Sequence, residues 1–281
     1  MPTITATRCS RTSKSPSGVH ILRAASVVRS LVRSAGVGPG DLVLDLGAGP
    51  GTLTAPLAAT GAHVAAIERS PKFVRQLERR LAGRDNVRIV TGDLRRCPLP
   101  WRPYAVVASL PYSLSTAILR RLLQPARTPL RAADLVVERG FAKRLTQAAP
   151  RDLQTAWWAA RFELRLLRRI RADCFQPAPS VDSAHLLVRP RTGMRRGSTQ
   201  RALWSLLETA YSTPSLPVRS VVTGLLVRRQ AGRALSEVGI EATRPALAVT
   251  VTEWADLARS LGEWVDAPSL PSQLIRPGKE R

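Results

Sequence analysis

Asp45-Leu46-Gly47-Ala48-Gly49-Pro50-Gly51 closes the apolar run Leu42–Leu46 and stands at the mouth of a helical stretch. Glycines at such a place let the chain turn tightly and let a ligand come close to the backbone. Working outward, further strand-like runs at residues 63–67, 87–90, 105–108 and 134–137 alternate with helical stretches. That alternation predicts parallel βαβ units, an α/β doubly wound sheet. The glycine turn, Glu68, Asp93 and Ser109 each follow one of the first four runs. In a doubly wound sheet those carboxyl ends share one edge, where ligands bind.

The glycine pattern also speaks to ligand chemistry. It reads GxGxG, and Thr52 stands where a dinucleotide fingerprint has its third glycine. A dinucleotide needs amides at a helix start for its pyrophosphate. S-adenosylmethionine has no phosphate and carries a sulfonium, so acids near the turn suit it. Glu68 is placed to accept both ribose hydroxyls and Asp93 to accept from an adenine amine.

Ser109-Leu110-Pro111-Tyr112 after the fourth run points to the reaction. An adenine amine is a poor nucleophile because its lone pair is delocalised into the ring. Acceptors held against its hydrogens, the Ser109 oxygen and the Leu110 carbonyl, let the nitrogen become tetrahedral as it attacks. Pro111 fixes the turn and Tyr112 offers a face for an extruded base. Alignment supplies most of the rate, and neither a metal nor a base with a shifted pKa is required.

The remainder of the chain narrows the class. Of 281 residues, 43 are Lys or Arg and 20 Asp or Glu, a net charge of +23 that predicts a polyanionic partner. Only four of the basic residues are Lys, and the first acid is Asp41. Through residue 188 there are 29 basic and 12 acidic residues, so the first unit holds most of the excess charge. No run of about 18 apolar residues predicts a membrane span, and no apolar core of a secretory signal stands at the start. Cys9, Cys97 and Cys174 lack CxxC spacing and read as reduced thiols of a cytoplasmic protein without a metal site.

Four units are expected: a basic disordered arm over 1–17, a catalytic, donor-binding unit over 18–190, a helical RNA-contacting unit over 199–265 and a disordered tail over 266–281. Residues 19–35 predict a helix leading into the first strand. Phe162–Ile170 fits both periods and is read as a strand, 184–188 as the last strand, and 190–198 as a linker. Helices are expected over 202–211, 218–229 and Val251–Leu261. Arg95-Arg96, Arg120-Arg121, Lys143-Arg144 and Arg165 to Arg171 are the candidate phosphate contacts.

DLGAGPG, AAIE, TGD, SLPYSLSTAILRRLL, VVERGFAKRL and FQPAPSVDSAHLLVRP together resemble the rRNA adenine N6-methyltransferases. The resemblance runs from about residue 17 to Leu261, with VVERGFAKRL and WADLARSL favouring the erythromycin-resistance (Erm) branch over the small-subunit dimethyladenosine transferases. It implies a Rossmann-like class I methyltransferase sheet with helices on both faces and a small C-terminal helical domain. It implies S-adenosylmethionine as donor, held by His20, Leu22, Gly47, Gly49, Glu68, Asp93 and Ser109. The target adenine would lie against Tyr112 with Phe175 near, so Ser109, Leu110, Pro111, Tyr112 and Phe175 form the catalytic set. The implied substrate is one adenine of large-subunit rRNA near the peptide tunnel, the implied outcome macrolide, lincosamide and streptogramin B resistance, and the expected state a monomer. A small-subunit rRNA dimethyltransferase, or an RNA-binding protein on the same fold with weakened catalysis, is the alternative. The chain departs from the family at Ser109, where Asn is usual, and at Val19-His20-Ile21-Leu22, where Gln-Asn or Gln-His precedes Phe-Leu. AYSTPSLPVRSVV also lacks a Gly-rich basic loop common in that branch.

Overall fold

A computed structural model describes residues 19–194, 197–261 and 267–275. The proposed arm, residues 195–196 of the proposed linker and the last six residues lie outside them.

The first elements in chain order are β1 (Ile21–Leu22), α1 (Ala25–Ala35), β2 (Leu42–Leu46), α2 (Thr54–Ala58), β3 (His63–Glu68), α3 (Pro71–Arg80) and β4 (Val87–Thr91). Next come β5 (Tyr104–Ser109), α4 (Ser115–Leu123), β6 (Leu130–Glu138), α5 (Arg139–Leu145), α6 (Leu153–Arg161), β7 (Phe162–Ile170), β8 (Phe175–Gln176) and β9 (Ser183–Pro190). The helical end comprises α7 (Gly197–Ser212), α8 (Val218–Thr223), α9 (Arg228–Glu237), α10 (Val251–Leu261) and α11 (Ser272–Ile275).

Seven strands form one sheet in the order β4-β3-β2-β5-β6-β9-β7. The first five are parallel, and β9 runs antiparallel to both β6 and β7. Central β5 is apolar along its length and buried up to Ser109, as a strand covered on both faces must be. Its alternate residues face two layers. Val106 and Ala108 belong to the apolar cluster that includes α4, α6 and the C-terminal helices, whereas Ala105 and Val107 belong to the one that includes α1 and α2. The reversal of strand order beside β2 and β5 puts the ligand edge at their carboxyl ends.

The expected helix over 19–35 is a helix only from Ala25. Ile21 and Leu22 pair antiparallel with Gln176 and Phe175, a contact invisible to local periodicity. The helix ends at Gly36, whose φ of 58° closes it in the left-handed conformation. The expected helix over 218–229 is two helices, because α8 stops at Gly224 and the chain turns before Arg228. The linker is shorter than expected: β9 runs to Pro190, Met194 is buried, and α7 begins at Gly197. The disordered tail is corrected for residues 267–275. Leu274 is fully buried and its carbonyl accepts from the Ala126 N–H at 2.7 Å.

The helical end shares one continuous apolar core with the sheet, and a buried cation braces the junction. Arg161, 3% exposed, donates to the carbonyls of Leu123, Pro125 and Ala126 at 2.7, 2.7 and 3.0 Å and lies 4.3 Å over the Trp157 ring. It thereby satisfies the last carbonyl of α4 and two carbonyls of the turn that follows. Burial pushes its guanidinium down to about 9. Gln200 on α7 adds a bond to the Ala126 carbonyl at 2.8 Å. Among the described residues, no helix is long and apolar enough to cross a membrane.

Candidate active site

The glycine turn bends because Gly47 and Gly49 adopt φ of 78° and 54°, a region in which side chains are strained. A Cβ at Gly47 would also stand 3.4 Å from Leu94 Cδ1 and 3.8 Å from Pro111 Cδ. The Gly47 and Ala48 amides donate to the Ile67 carbonyl at 2.9 and 3.1 Å, tying the turn to the end of β3. There Glu68 receives the Gly49 amide on Oε2 at 2.8 Å, and the Arg69 and Ser70 amides on Oε1 at 2.8 and 2.7 Å. Its carboxylate is thus fixed by three backbone donors before any ligand is considered.

Asp93, beyond β4, accepts the Arg95 amide at 2.8 Å and that guanidinium at 2.6 Å. The Arg95 side chain, then its amide, hold the Asp93 carboxyl well below the usual range. Ser109 ends β5, and the Leu110 amide donates to the Val136 carbonyl at 3.0 Å. The Leu114 amide and the Ser115 hydroxyl both donate to the Pro111 carbonyl, at 2.9 and 3.3 Å, so the turn between β5 and α4 is closed on itself. Tyr112 is anchored at its far end, where its hydroxyl shares a 2.7 Å hydrogen bond with Ser183. Burial raises the Tyr112 phenol above its ordinary value.

The opposite wall comes from both ends of the catalytic unit. His20 lies 2.8 Å through Nδ1 from the Pro177 carbonyl, and its ring stands 6.0 Å from that of Tyr112 with planes 28° apart. Leu22 and Phe175 are partners in the short β1–β8 pairing and both are buried.

All eleven residues singled out in the sequence line one cavity: His20, Leu22, Gly47, Gly49, Glu68, Asp93, Ser109, Leu110, Pro111, Tyr112 and Phe175. Sequence reasoning gave no role to Asp45, Phe73 and Leu94, which line it too. Asp45 was in view, inside the glycine motif. Phe73 lies two residues into α3, where nothing in the local pattern marks it as a wall residue.

Asp45 is 1% exposed. Thr54 donates to its Oδ2 at 2.7 Å, whereas Oδ1 has no hydrogen-bond partner among the described residues. Burial first, with nearby Glu68 adding to it, pushes this carboxyl up to about 7. Asp45, Glu68 and Asp93 face a space that holds one cationic side chain, Arg69. An apolar cavity with three carboxyls and an orphaned carboxylate oxygen suits a cationic ligand carrying hydroxyls, and disfavours a phosphate.

The candidate phosphate contacts divide. Arg121 donates to the carbonyls of Leu94 and Cys97, so it braces the loop after β4 and is no free phosphate ligand. Arg169 and Arg171 are paired with Asp182 and Asp173 at 2.6 and 2.8 Å.

A family model described as ribosomal RNA adenine dimethylase matches residues 11–263. The rRNA adenine N-6-methyltransferase of Bacillus licheniformis is 28% identical over 250 residues, covering 89% of this chain and 87% of that protein. The ribosomal RNA small subunit methyltransferase A of Synechococcus sp. (strain JA-3-3Ab) is 30% identical over 257 residues, covering 88% and 92%. Among solved structures, the 23S rRNA methyltransferase ErmE superposes with a TM-score of 0.73 at 24% identity, covering 85% of this chain and 98% of that one. With a family match over nearly its whole length and a relative of that identity, the chain belongs to the ribosomal RNA adenine dimethylase family.

Proposed function

We propose that the chain transfers methyl groups from S-adenosylmethionine to N6 of one adenine in 23S rRNA near the peptidyl transferase centre, giving macrolide, lincosamide and streptogramin B resistance. The observation that carries the reading is the Ser109–Tyr112 turn at the end of the central strand, opening into the same cavity as the acid-lined glycine turn. Family membership supports the reaction, and the VVERGFAKRL segment supports the large-subunit branch.

When bound, S-adenosylmethionine supplies an electrophilic methyl on a sulfonium. Gly47 and Gly49 let backbone approach that ligand, while Glu68, anchored through Gly49, turns its remaining lone pairs to the ribose hydroxyls. Asp93 would accept from the adenine amine of the donor, and the buried Asp45 carboxyl would add negative charge behind the glycine turn. Tyr112, locked by Ser183, stacks the target base, and Phe175 closes beside it. Ser109 and the Leu110 carbonyl accept the hydrogens of the target amine, so that its lone pair turns toward the methyl.

A second reading, methylation of small-subunit rRNA during ribosome assembly, is favoured by the 30% identity to small subunit methyltransferase A. Both rRNAs from cells with and without the gene, examined by primer extension and by mass spectrometry of their adenosines, decide between them. A gene-dependent methyladenosine in 23S rRNA near the peptidyl transferase centre is the expected result. Modification confined to 16S rRNA would replace the first reading by the second, and unmodified rRNA would refute both.

A further inference from the structure

The crossover from β4 to β5 lacks the helix that follows each of the other parallel strands of the sheet. Residues 92–103 hold Pro98, Pro100 and Pro103, and a proline inside a helix removes an amide donor and clashes with the preceding turn. One face of the β3–β4 edge is served by α3, whose Leu77 and Leu81 share an apolar cluster with Ala66, Val87 and Ile89. On the other face Leu42, Ala65 and Val90 are only partly buried. They line an open cleft of about 520 Å³, whose wall also includes Arg88 of β4 and Pro100 and Arg102 of the loop.

The loop is pinned at both ends. Arg121 donates to the Leu94 and Cys97 carbonyls, the Cys97 amide donates to the Asp93 carbonyl at 2.9 Å, and Leu99 packs against the main core. Tyr104, 1% exposed, fixes the far end. Between these anchors Trp101 stands 87% exposed, whereas Trp157, Trp158, Trp204 and Trp254 are all buried. Arg88 and Arg102 are exposed and have no carboxylate partner among the described residues. Asp85 is the one acid on the cleft wall.

An aromatic face between unpaired guanidiniums suits a nucleobase with its phosphates, since every base has a π-face and stacking tolerates any sequence. A ring already held in place by its loop loses little freedom on stacking. The geometry points to Trp101 as a stacking platform for an unpaired base of the substrate RNA, outside the adenine pocket, with Arg88 and Arg102 receiving the adjoining phosphates. The inference rests on the rRNA-methylating reading. Trp101 lies just before Tyr104, at the amino end of β5, and the catalytic turn follows Ser109 at its other end. At about 3.3 Å per residue that strand is about 17 Å long, the span of about five nucleotides at the duplex rise. The platform is therefore within reach of RNA that flanks the target adenine.

The experiment measures filter binding of a ribosomal transcript, and methyl transfer to it, for wild type, Trp101→Phe, Trp101→Ala and the double variant Arg88→Gln, Arg102→Gln. Melting temperature and S-adenosylhomocysteine affinity check the fold and the donor site of each. Trp101→Ala should weaken RNA binding about 5- to 100-fold, with the loss appearing in KM, and Trp101→Phe, which keeps a face, should stay within about threefold. The arginine variant should lower the log–log salt slope by about 1.4, at about 0.7 for each single-strand phosphate released. Ultraviolet crosslinking of the wild-type complex, read by peptide mass spectrometry, should put RNA on the peptide that contains Trp101. RNA affinity of Trp101→Ala within about twofold of wild type overturns the assignment, as does an equal loss in Trp101→Phe. A dimer of RNA-free wild type that Trp101→Ala dissociates, with RNA affinity unchanged, overturns it in favour of a second copy of the chain. Should Trp101→Ala fail to fold, the crosslink decides, and its absence from that peptide overturns the assignment. Wild type that neither binds nor methylates rRNA overturns the proposed function and this inference together, whereas active wild type with an unaltered Trp101→Ala variant overturns only the inference.

Discussion

Replacing Asp45 by Asn should make the donor-free protein relatively more stable as pH rises. The carboxyl is 1% exposed, has one oxygen without a hydrogen-bond partner, and is pushed from 3.8 up to about 7 by burial. A carboxyl raised on folding favours the protonated native state. Its contribution is therefore fully present below about pH 4 and is lost as pH climbs through about 7. Linkage from these two values makes the loss roughly 2–3 kcal/mol between pH 5 and pH 8. Asn does not titrate, so the gap between the wild-type and Asp45→Asn stabilities should move by that amount over the interval, in favour of the variant at pH 8. Any fixed cost of burying the amide cancels in this comparison. Urea unfolding of donor-free protein at pH 5, 6.5 and 8 measures it. Two curves that run parallel would refute the claim that this carboxyl is held neutral by its surroundings. Donor affinity should move the other way. Removing a carboxyl that is ionised at pH 8 from behind the site of a cationic ligand should weaken calorimetric affinity there by about tenfold.

Ser109 is a weaker acceptor than Asn, so wild type should yield mainly monomethyladenosine and Ser109→Asn should raise the dimethylated share; mass spectrometry showing mainly dimethylated product from wild type would refute this. Tyr112→Ala should lower kcat/KM about 10- to 100-fold through lost base stacking. Tyr112→Phe keeps the ring and loses only the Ser183 bond, so it should stay within about fivefold, and equal losses in the two variants would argue against stacking. Binding of a ribosomal transcript should weaken with salt, with a slope near −3.5 in log–log form if about five phosphates are neutralised. A slope near zero, by filter binding, would remove the +23 charge from the account of RNA recognition.

What could be read from the chain and what could not follow a physical division. The edge of the sheet was legible because the glycine turn, Glu68, Asp93 and Ser109 each come just after an apolar run, and period and position suffice to place them. Phe162–Ile170 was readable as a strand although its pattern also fits a helix, because Leu164 and Leu166 alternate with Glu163 and Arg165. The β1 strand was not legible. Two residues have no periodicity, and the partner of this segment lies far along the chain, as with His20 and Pro177, 157 positions apart. Arg161 looks like any other arginine in a chain that has few lysines, and only the carbonyls gathered around it mark it as a structural cation. Leu274 stands among prolines and polar residues that suggest disorder, and its burial depends wholly on the fold it reaches. Asp45 was visible as a letter of the motif, but its missing hydrogen-bond partner is a property of three dimensions.

The pairing of Ile21–Leu22 with Phe175–Gln176 has a consequence for the protein during its own synthesis. One wall of the cavity is assembled from the first and last segments of the catalytic unit, so a nascent chain that has not yet emerged past Pro177 lacks that wall, however complete its glycine turn. The cavity therefore closes only when synthesis of the unit is nearly complete, however early its glycine turn is made.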